Sequence, residues 1–516
     1  MMNNLIKSFL LLSASILLLL PSCISQGNNP NAKKKKANDN ISNFEVVFPM
    51  NEYLTTNDTT PYPVLVQEKF QHINTASFVN VMDYGAAGNG TKADDDAIAK
   101  AFAACKDGSG VIFPKGKIFL IQNLIRVPLN KNITIYAYGA TFKMANNTGY
   151  NAIAFEGSGN GYNNQLIWLG GLFDGNKNQQ SWPGSPTGNN EWVRTQGNYG
   201  LLTIRSAKFA LVKDVSLINT VYDGVELFEC ELGVIADSKA SGGANLNYSK
   251  LRTTHGKGHQ STYFKCTRRN SQVVYFINLD CKEGSIGVQY STNFVSDSSL
   301  AVINNCHFYN QGQDAIHFES CRKIFIYNST IGADNSANYH ADIHISNDCE
   351  LAAIKNSQFK NGRIDFRNAS SLQLGIIEDC QFESYALRKE DSTTLRAFIQ
   401  NATYVKDCIF KGRTKEDGVK AKYVTGSSFQ LFDVAVNAAA LVSKCHFNTG
   451  TTAIKRSRNA ITVTDCEFKN VSNPASAEMQ SAENTLNKAA LNDRLSKSIR
   501  VFDQRKKPLG YVVKTK

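Results

Sequence analysis

The sequence predicts an all-β protein built as a parallel β-solenoid, and three observations predict it. The first is a phrase that returns along the chain: an apolar pair, two polar residues, a Cys or Ser, one further residue, then an aromatic. It reads Val302-Ile303-Asn304-Asn305-Cys306-His307-Phe308, then Ile354-Lys355-Asn356-Ser357-Gln358-Phe359, then Ile377-Glu378-Asp379-Cys380-Gln381-Phe382. It returns as Val405-Lys406-Asp407-Cys408-Ile409-Phe410 and Val463-Thr464-Asp465-Cys466-Glu467-Phe468, with a looser copy at Ile326-Tyr327-Asn328-Ser329-Thr330-Ile331. The second observation is spacing. Along positions 281, 306, 329, 357, 380, 408, 445 and 466 the steps are 25, 23, 28, 23, 28, 37 and 21 residues, a period that marks stacked repeats, each covering its neighbour's open apolar face. The third is residue type: the repeats hold strand formers and show no helical period.

At 516 residues, with 42% hydrophobic content and 29 Phe, the chain can fill one long continuous core. The formal charge is +12, which suits an acidic partner. Four of those charges are the run Lys33-Lys34-Lys35-Lys36, read as part of a solvated tether. No nucleic-acid recognition motif accompanies the charge, so no nucleic-acid partner is expected.

The N-terminus has Lys7, an apolar run from Phe9 to Leu20, and then Leu20-Pro21-Ser22-Cys23. That run is short for a membrane span and has the layout of a secretory signal. Leu-x-x-Cys at its end resembles the lipobox of bacterial lipoproteins, which implies lipidation at Cys23 and export, with the membrane met only through a lipid anchor. Residues 1–22 are thus read as a signal peptide, 23–43 as a tether and 44–77 as a polar lead-in. Residues 78–472 are the solenoid, and 473–516 a C-terminal capping segment whose Pro474 to Leu495 portion has helical composition. Ile499 to Val513 is expected to add a last strand or to lie against the solenoid.

The twelve Cys of an exported chain would ordinarily imply disulfides. Here Cys281, Cys306, Cys380, Cys408, Cys445 and Cys466 fall at one repeat position, so a buried file of thiols is expected instead. No Cys or His spacing implies a metal. No cofactor is expected, with Ca²⁺ called for only if the chain is a lyase.

The solenoid opens at Val79-Asn80-Val81-Met82-Asp83-Tyr84-Gly85-Ala86-Ala87-Gly88-Asn89-Gly90, followed by Asp94-Asp95-Asp96. Ala97 to Cys105 reads as a short helix capped by that Asp cluster, and Val111-Ile112-Phe113-Pro114-Lys115-Gly116 begins the strands. This opening, over residues 79–117, resembles the start of the pectate-lyase-like superfamily, including the glycoside hydrolase family 28-related proteins. The resemblance implies a right-handed parallel β-helix. Lyases, hydrolases and viral tail-spike proteins share that cap, so the reaction stays open.

One strand per coil can present alternate residues outward. Six coils align through Gly224-Val225-Glu226-Leu227-Phe228, Thr262-Tyr263-Phe264-Lys265, Gly287-Val288-Gln289-Tyr290-Ser291, Ala315-Ile316-His317-Phe318-Glu319, Asp342-Ile343-His344-Ile345-Ser346 and Arg363-Ile364-Asp365-Phe366-Arg367. The alignment gives one outward column of Glu226, Tyr263, Gln289, His317, His344 and Asp365. A second holds Phe228, Lys265, Ser291, Glu319, Ser346 and Arg367.

Glycoside hydrolysis needs a protonated carboxyl for the leaving oxygen and a second group to activate water or stabilise the sugar cation. Glu319 is the candidate acid, Asp365 or Asp314 the base, and His317 joins them. Gln289, His344, Lys265, Arg367, Tyr263 and Glu226 are candidate substrate-binding residues. A lyase would need a cation and a base, which Tyr263 with Lys265, or His317 with Arg367, would supply. A binding or adhesion solenoid without chemistry would use Phe228, Tyr263 and Phe398 as sugar platforms. The insertion Ser241 to Gln260, with Arg252, His255, Lys257 and His259, reads as a basic loop over this face.

The polygalacturonases of family 28 carry paired Asp and Gly-His-Gly motifs, and this chain has neither. Gln289, Glu319 and His344 are similar in arrangement to the Gln, Glu and His of the iota-carrageenases. That pattern departs where an Asp should follow, since Cys321 stands there. The reading is therefore a monomeric, exported enzyme hydrolysing an anionic polysaccharide, sulfated or uronate-containing, with a carrageenan-type galactan as one such polymer. A lyase is the alternative, and a carbohydrate-binding solenoid the third.

Overall fold

The computed structural model describes residues 73–475 except 147–151, 158–163, 181–199, 222, 244–261, 269–272, 293–298, 334–340, 347–348, 368–373, 385–397, 413–416, 438 and 456–461, and also describes 498–502 and 508–514. The expected signal peptide, Cys23, the expected tether and nearly all of the expected lead-in lie outside the described residues. So do Arg252, His255, Lys257 and His259, and nearly all of the expected C-terminal helical portion. Among the described residues no helix is long and apolar enough to cross a membrane.

Thirty-nine strands of the described residues form one parallel network. Each strand pairs with its equivalents one coil before and one coil after, which makes a parallel β-helix with three faces. One face carries Val225–Phe228, Thr262–Arg268, Ile286–Thr292, Asp314–Glu319, Ala341–Ser346 and Gly362–Arg367 in succession. A second runs through Val273–Ile277, Leu300–Asn304, Lys323–Tyr327 and Leu351–Lys355. The third consists of short strands such as His307–Tyr309, Thr330–Gly332 and Gln358–Lys360.

The recurring phrase is the corner between the second and third faces. Its apolar pair ends a strand of the second face. The polar residue before the Cys or Ser takes a left-handed conformation, with φ of 53° at Asn305, 49° at Asn328 and Asn356, 53° at Asp379 and 52° at Asp407. Asn and Asp tolerate that region better than other L residues, which is why those types recur. Asn side chains also bond from coil to coil, Asn305 Nδ2 donating to Asn278 Oδ1 at 2.9 Å and Asn356 Nδ2 to Asn328 Oδ1 at 2.6 Å. The chain then turns its Cys or Ser inward and begins the third face.

Two expectations about this file need correction. Cys281 does not share the position of Cys306. It pairs with Phe308, because Leu279 fills the corner one strand earlier. The step of 37 residues between Cys408 and Cys445 hides a coil, in which Gly426, at φ 61°, takes the left-handed position and Ser427 the inward one. Ser427 Oγ accepts the Cys408 N–H at 3.1 Å, as Ser329 Oγ accepts that of Cys306 at 3.2 Å. All eleven described cysteines are buried and unbridged, as expected, and burial pushes thiols such as Cys230 and Cys306 up to about 12.

The aromatic that ends the phrase stacks on its counterparts. Phe359, Phe382, Phe410, Phe429, Phe447 and Phe468 follow one another at centroid distances of 4.4, 4.8, 4.8, 5.1 and 5.1 Å, with interplanar angles of 7°, 12°, 7°, 8° and 7°. Each ring covers its neighbour.

The helix runs Asp95–Ala104 and buries Ala97, Ile98, Ala101 and Phe102. Its Asp cluster does not cap it through side chains. Asp94 instead accepts the N–H groups of Ala87, Gly88 and Leu120, and Asp95 those of Gln122 and Asn123. The carboxylates tie the opening loop to the first coils, where unpaired N–H groups would otherwise be stranded. Lys131 Nζ closes the other end on the carbonyls of Phe102 and Cys105. Near the C-terminus, Ser498–Phe502 and Pro508–Lys514 pair antiparallel with each other and add nothing to the parallel ladder.

Phe410→Ala is expected to cost about 3–5 kcal/mol, the range for a deleted core ring, read as a lower denaturant midpoint. Ellman's reagent should find none of the eleven described thiols in the native protein and all of them after denaturation. Rapid native labelling would contradict their burial.

Candidate active site

Backbone pairing fixes which outward residues are neighbours. Glu226 pairs with Lys265, Lys265 with Gln289, Gln289 with His317, His317 with His344, and His344 with Asp365. Beside this column run Phe228, Thr267, Ser291, Glu319, Ser346 and, by register, Arg367. The expected columns survive except in one strand, which is displaced by two residues. Lys265, not Tyr263, stands beside Gln289, and Thr267 takes the place expected for Lys265.

Tyr263 causes the shift. It sits at the corner where its strand begins and is fully buried. A Cβ at Gly284 would lie 2.5 Å from its ring. Its hydroxyl accepts the Gly243 N–H at 2.9 Å and donates to the Lys282 carbonyl at 2.7 Å. Tyr263 is therefore a corner post, and the expectation that it binds substrate is corrected.

The centre of the face is a chain of hydrogen bonds on the strand Asp314–Glu319. Asp314 Oδ2 lies 2.7 Å from His317 Nδ1, and His317 Nε2 lies 3.1 Å from Glu319 Oε1. Ser291, one coil back, donates to Glu319 Oε2 at 3.0 Å. His344, one coil forward, meets His317 edge to face at a centroid distance of 4.6 Å, with Nδ1 3.9 Å from Asp314 Oδ2. Asp314 and His317 are buried, His344 is half-buried, and the Glu319 side chain is 36% exposed. The chain thus runs from inside the wall out to the surface.

These contacts set the charges. Burial opposes a positive His317, but hydrogen bonds and attraction from Asp314 and Glu319 outweigh it and push the imidazole up to about 9. The His317 hydrogen bond holds the Glu319 carboxyl below its ordinary range against partial burial. The free protein therefore keeps the proton on His317 with Glu319 ionised beside it. Asp365 is half-buried on the second coil beyond His317, with His344 between them.

A second cluster lies further back on the same face. Lys265 Nζ is 2.7 Å from Asp223 Oδ2 and 3.8 Å from Glu226 Oε1, and Thr267 donates to Glu226 Oε1 at 3.2 Å. Glu226 is fully buried, and that burial, only partly offset by Lys265, pushes its carboxyl up to about 7. Two expectations fall here. Glu226 has no surface to offer a ligand, and the Lys265 charge is neutralised within the wall. Asp223 was not singled out in the sequence, since its pairing with Lys265 needs the displaced register.

Gln289 accepts a hydrogen bond from Thr262 at 2.9 Å and stands half-buried beside His317. Phe228 is half-buried, with the Arg205 guanidinium 4.6 Å above its ring. Phe398 is buried against Phe382 and Phe410, so it cannot serve as a sugar platform. Cys321 is buried too, and no carboxylate takes the position where the expected Asp is missing.

No protein-family model matches the chain, and no curated protein matches it. Solved structures do. The surface adhesin PfbA of Streptococcus pneumoniae matches with a TM-score of 0.46 at 13% identity, over 74% of this chain and 93% of that one. The family 28 exopolygalacturonase of Yersinia enterocolitica gives 0.38 at 13%, over 77% and 76%. The mannuronan C-5 epimerase AlgE6 A-module of Azotobacter vinelandii gives 0.36 at 14%, over 77% and 99%. At these values no activity passes to this chain, and the parallel β-helix rests on its own strand pairing.

The Glu226 carboxyl gives a stability prediction. Its folded pKa of about 7 exceeds its ordinary 4.5, so folding favours the protonated form. That stabilisation is complete below about pH 4.5 and is lost as pH rises through 7. Relative to Glu226→Gln, the native protein should lose up to about 3 kcal/mol between pH 5 and pH 8, read from paired thermal melts. Parallel pH profiles would refute it.

Proposed function

We propose that the protein hydrolyses glycosidic bonds of an anionic polysaccharide, and that it does so on the face carrying Asp314, His317, Glu319 and Asp365. The observation that carries this reading is the hydrogen-bonded line Asp314–His317–Glu319, which ends at a carboxylate open to solvent. A sulfated or uronate-containing polymer, a carrageenan-type galactan among them, suits the +12 charge of the chain. Export and a lipid anchor at Cys23 belong to the same proposal and rest on the N-terminal sequence.

In this mechanism the proton for the leaving oxygen comes from the His317–Glu319 pair. As the glycosidic C–O bond lengthens, His317 Nε2 passes its proton to Glu319 Oε1 while the Glu319 carboxyl delivers one to the leaving oxygen, so Glu319 relays the proton and Asp314 holds Nδ1. Water attacks the anomeric carbon from the other side and gives its proton to Asp365. Bond making and breaking then balance: one C–O bond forms, one breaks, and one proton enters the site for each that leaves it.

Two coils of parallel sheet separate Asp365 from the His317 strand, about 9–10 Å. That lies at the upper end of the spacing that leaves room for an attacking water, so inversion at the anomeric carbon is expected. The same geometry weakens the lyase alternative. Tyr263 is enclosed, and Lys265 is ion-paired to Asp223, so neither is placed to take a proton from a sugar.

Incubation with a panel of anionic glycans should release new reducing ends of inverted configuration, without the ultraviolet absorbance of unsaturated uronates. Glu319→Gln and Asp365→Asn should each lower kcat by roughly 10²–10⁴, the usual worth of general acid–base catalysis. Unsaturated products would establish a lyase instead. Binding without any product would make the face a carbohydrate-binding surface.

A further inference from the structure

We propose that Asp314, His317 and His344 form a binding site for one divalent transition-metal ion of the zinc class, with a fourth coordination position left open. The inference goes beyond the hydrolase reading and does not depend on it: an ion on His317 Nδ1 would replace the Asp314 hydrogen bond of the metal-free arrangement.

The three side chains each bring one donor atom, and these atoms all lie within 4.8 Å of one another. His317 and His344 are direct partners on adjacent strands, so the ladder itself brings the imidazoles together. Asp314 starts the His317 strand and reaches across both rings, 2.7 Å from His317 Nδ1 and 3.9 Å from His344 Nδ1. Donors bound tetrahedrally to zinc stand about 3.4 Å apart, given bonds of about 2.0–2.1 Å. The two Asp314 distances straddle that value, and the remaining donor pair, within 4.8 Å, would have to close toward it as the ion binds. The ion would then stand where Asp314 and His317 now share a hydrogen bond.

The chemistry of the donors chooses the ion. Two imidazole nitrogens and one carboxylate oxygen suit Zn²⁺, Fe²⁺, Co²⁺ or Ni²⁺, whereas Ca²⁺ and Mg²⁺ ask for oxygen alone. No thiol joins the set. Three protein donors leave a fourth position for water or a ligand oxygen, as in zinc sites that do chemistry.

The surroundings supply a second, independent feature. His317 Nε2, the nitrogen away from the donor set, lies 3.1 Å from Glu319 Oε1, and Glu319 is itself held by Ser291 at 3.0 Å. A carboxylate on the far nitrogen fixes the tautomer and the ring orientation that a metal requires. The side chains of Asp314, His317 and His344 are 10%, 10% and 18% exposed, so the donors are largely shielded from bulk water.

The full chain, stripped with a chelator, should be titrated with Zn²⁺ and with Co²⁺, with Mg²⁺ and Ca²⁺ as controls. One equivalent of Zn²⁺ should bind and raise the unfolding midpoint by about 3 °C or more at a hundredfold excess over Kd. Co²⁺ should show visible bands of nitrogen and oxygen coordination. His344→Ala and His317→Ala should each abolish the shift, and His344→Asn serves where the alanine variant melts early without metal. His446→Ala, at an exposed histidine paired with Glu467, should leave the shift intact. Absence of stoichiometric binding, equal response to Ca²⁺, or binding that survives His317→Ala/His344→Ala would overturn the site. None of these readouts uses catalysis, so a protein inactive on glycans can still pass, and an active one can fail.

Discussion

Parallel pairing from coil to coil is the constraint on which everything else depends. Each strand must satisfy its N–H and C=O groups on the strands before and after it, so every residue is placed over its counterpart in the neighbouring coil. The inner consequence is the phenylalanine stack. The outer consequence is that His317 meets His344 and Glu319 meets Ser291, although each pair is far apart in sequence. The site is a by-product of the same register that packs the core.

Within that frame the local chemistry follows from one imidazole between two carboxylates. A histidine facing only solvent would titrate near neutrality and hold nothing in place. Between Asp314 and Glu319, His317 keeps its charge, and it keeps Glu319 ionised at the surface. The buried Lys265, Asp223 and Glu226 group further back follows a different logic. Its charges answer one another inside the wall, and what remains is a carboxyl that prefers to be neutral.

Much of this was legible in the sequence because a solenoid writes its geometry repeatedly. The Asn and Asp of the corner phrase reveal a left-handed turn, and the Cys or Ser after it reveals an inward step. Counting from those corners put Gln289, His317, Glu319, His344 and Asp365 on one face. The misreadings arose where a coil departs from the norm. In Thr262–Arg268, Tyr, Lys and Thr alternate with apolar residues, so a slip of two leaves the pattern unchanged. Only the space beside Gly243 and Gly284 shows that Tyr263 belongs at the corner. Ser427 was missed because Gly426 replaces the usual Asn or Asp. Proton placement on His317 was out of reach as well, since it depends on the distance and burial of Asp314.

The ladder also makes distance between functional groups a counted quantity. Asp365 stands two coils beyond His317 because one coil, the one carrying His344, lies between them. Gain or loss of a single coil would leave fold and faces unchanged, but it would move the two groups by one strand spacing, about 4.8 Å. In a glycosidase that step separates room for a water from direct contact with the sugar, and so inversion from retention. A glycosidase built on such a ladder could therefore alter the stereochemistry of its reaction by repeat number, without changing the residues that take part in it.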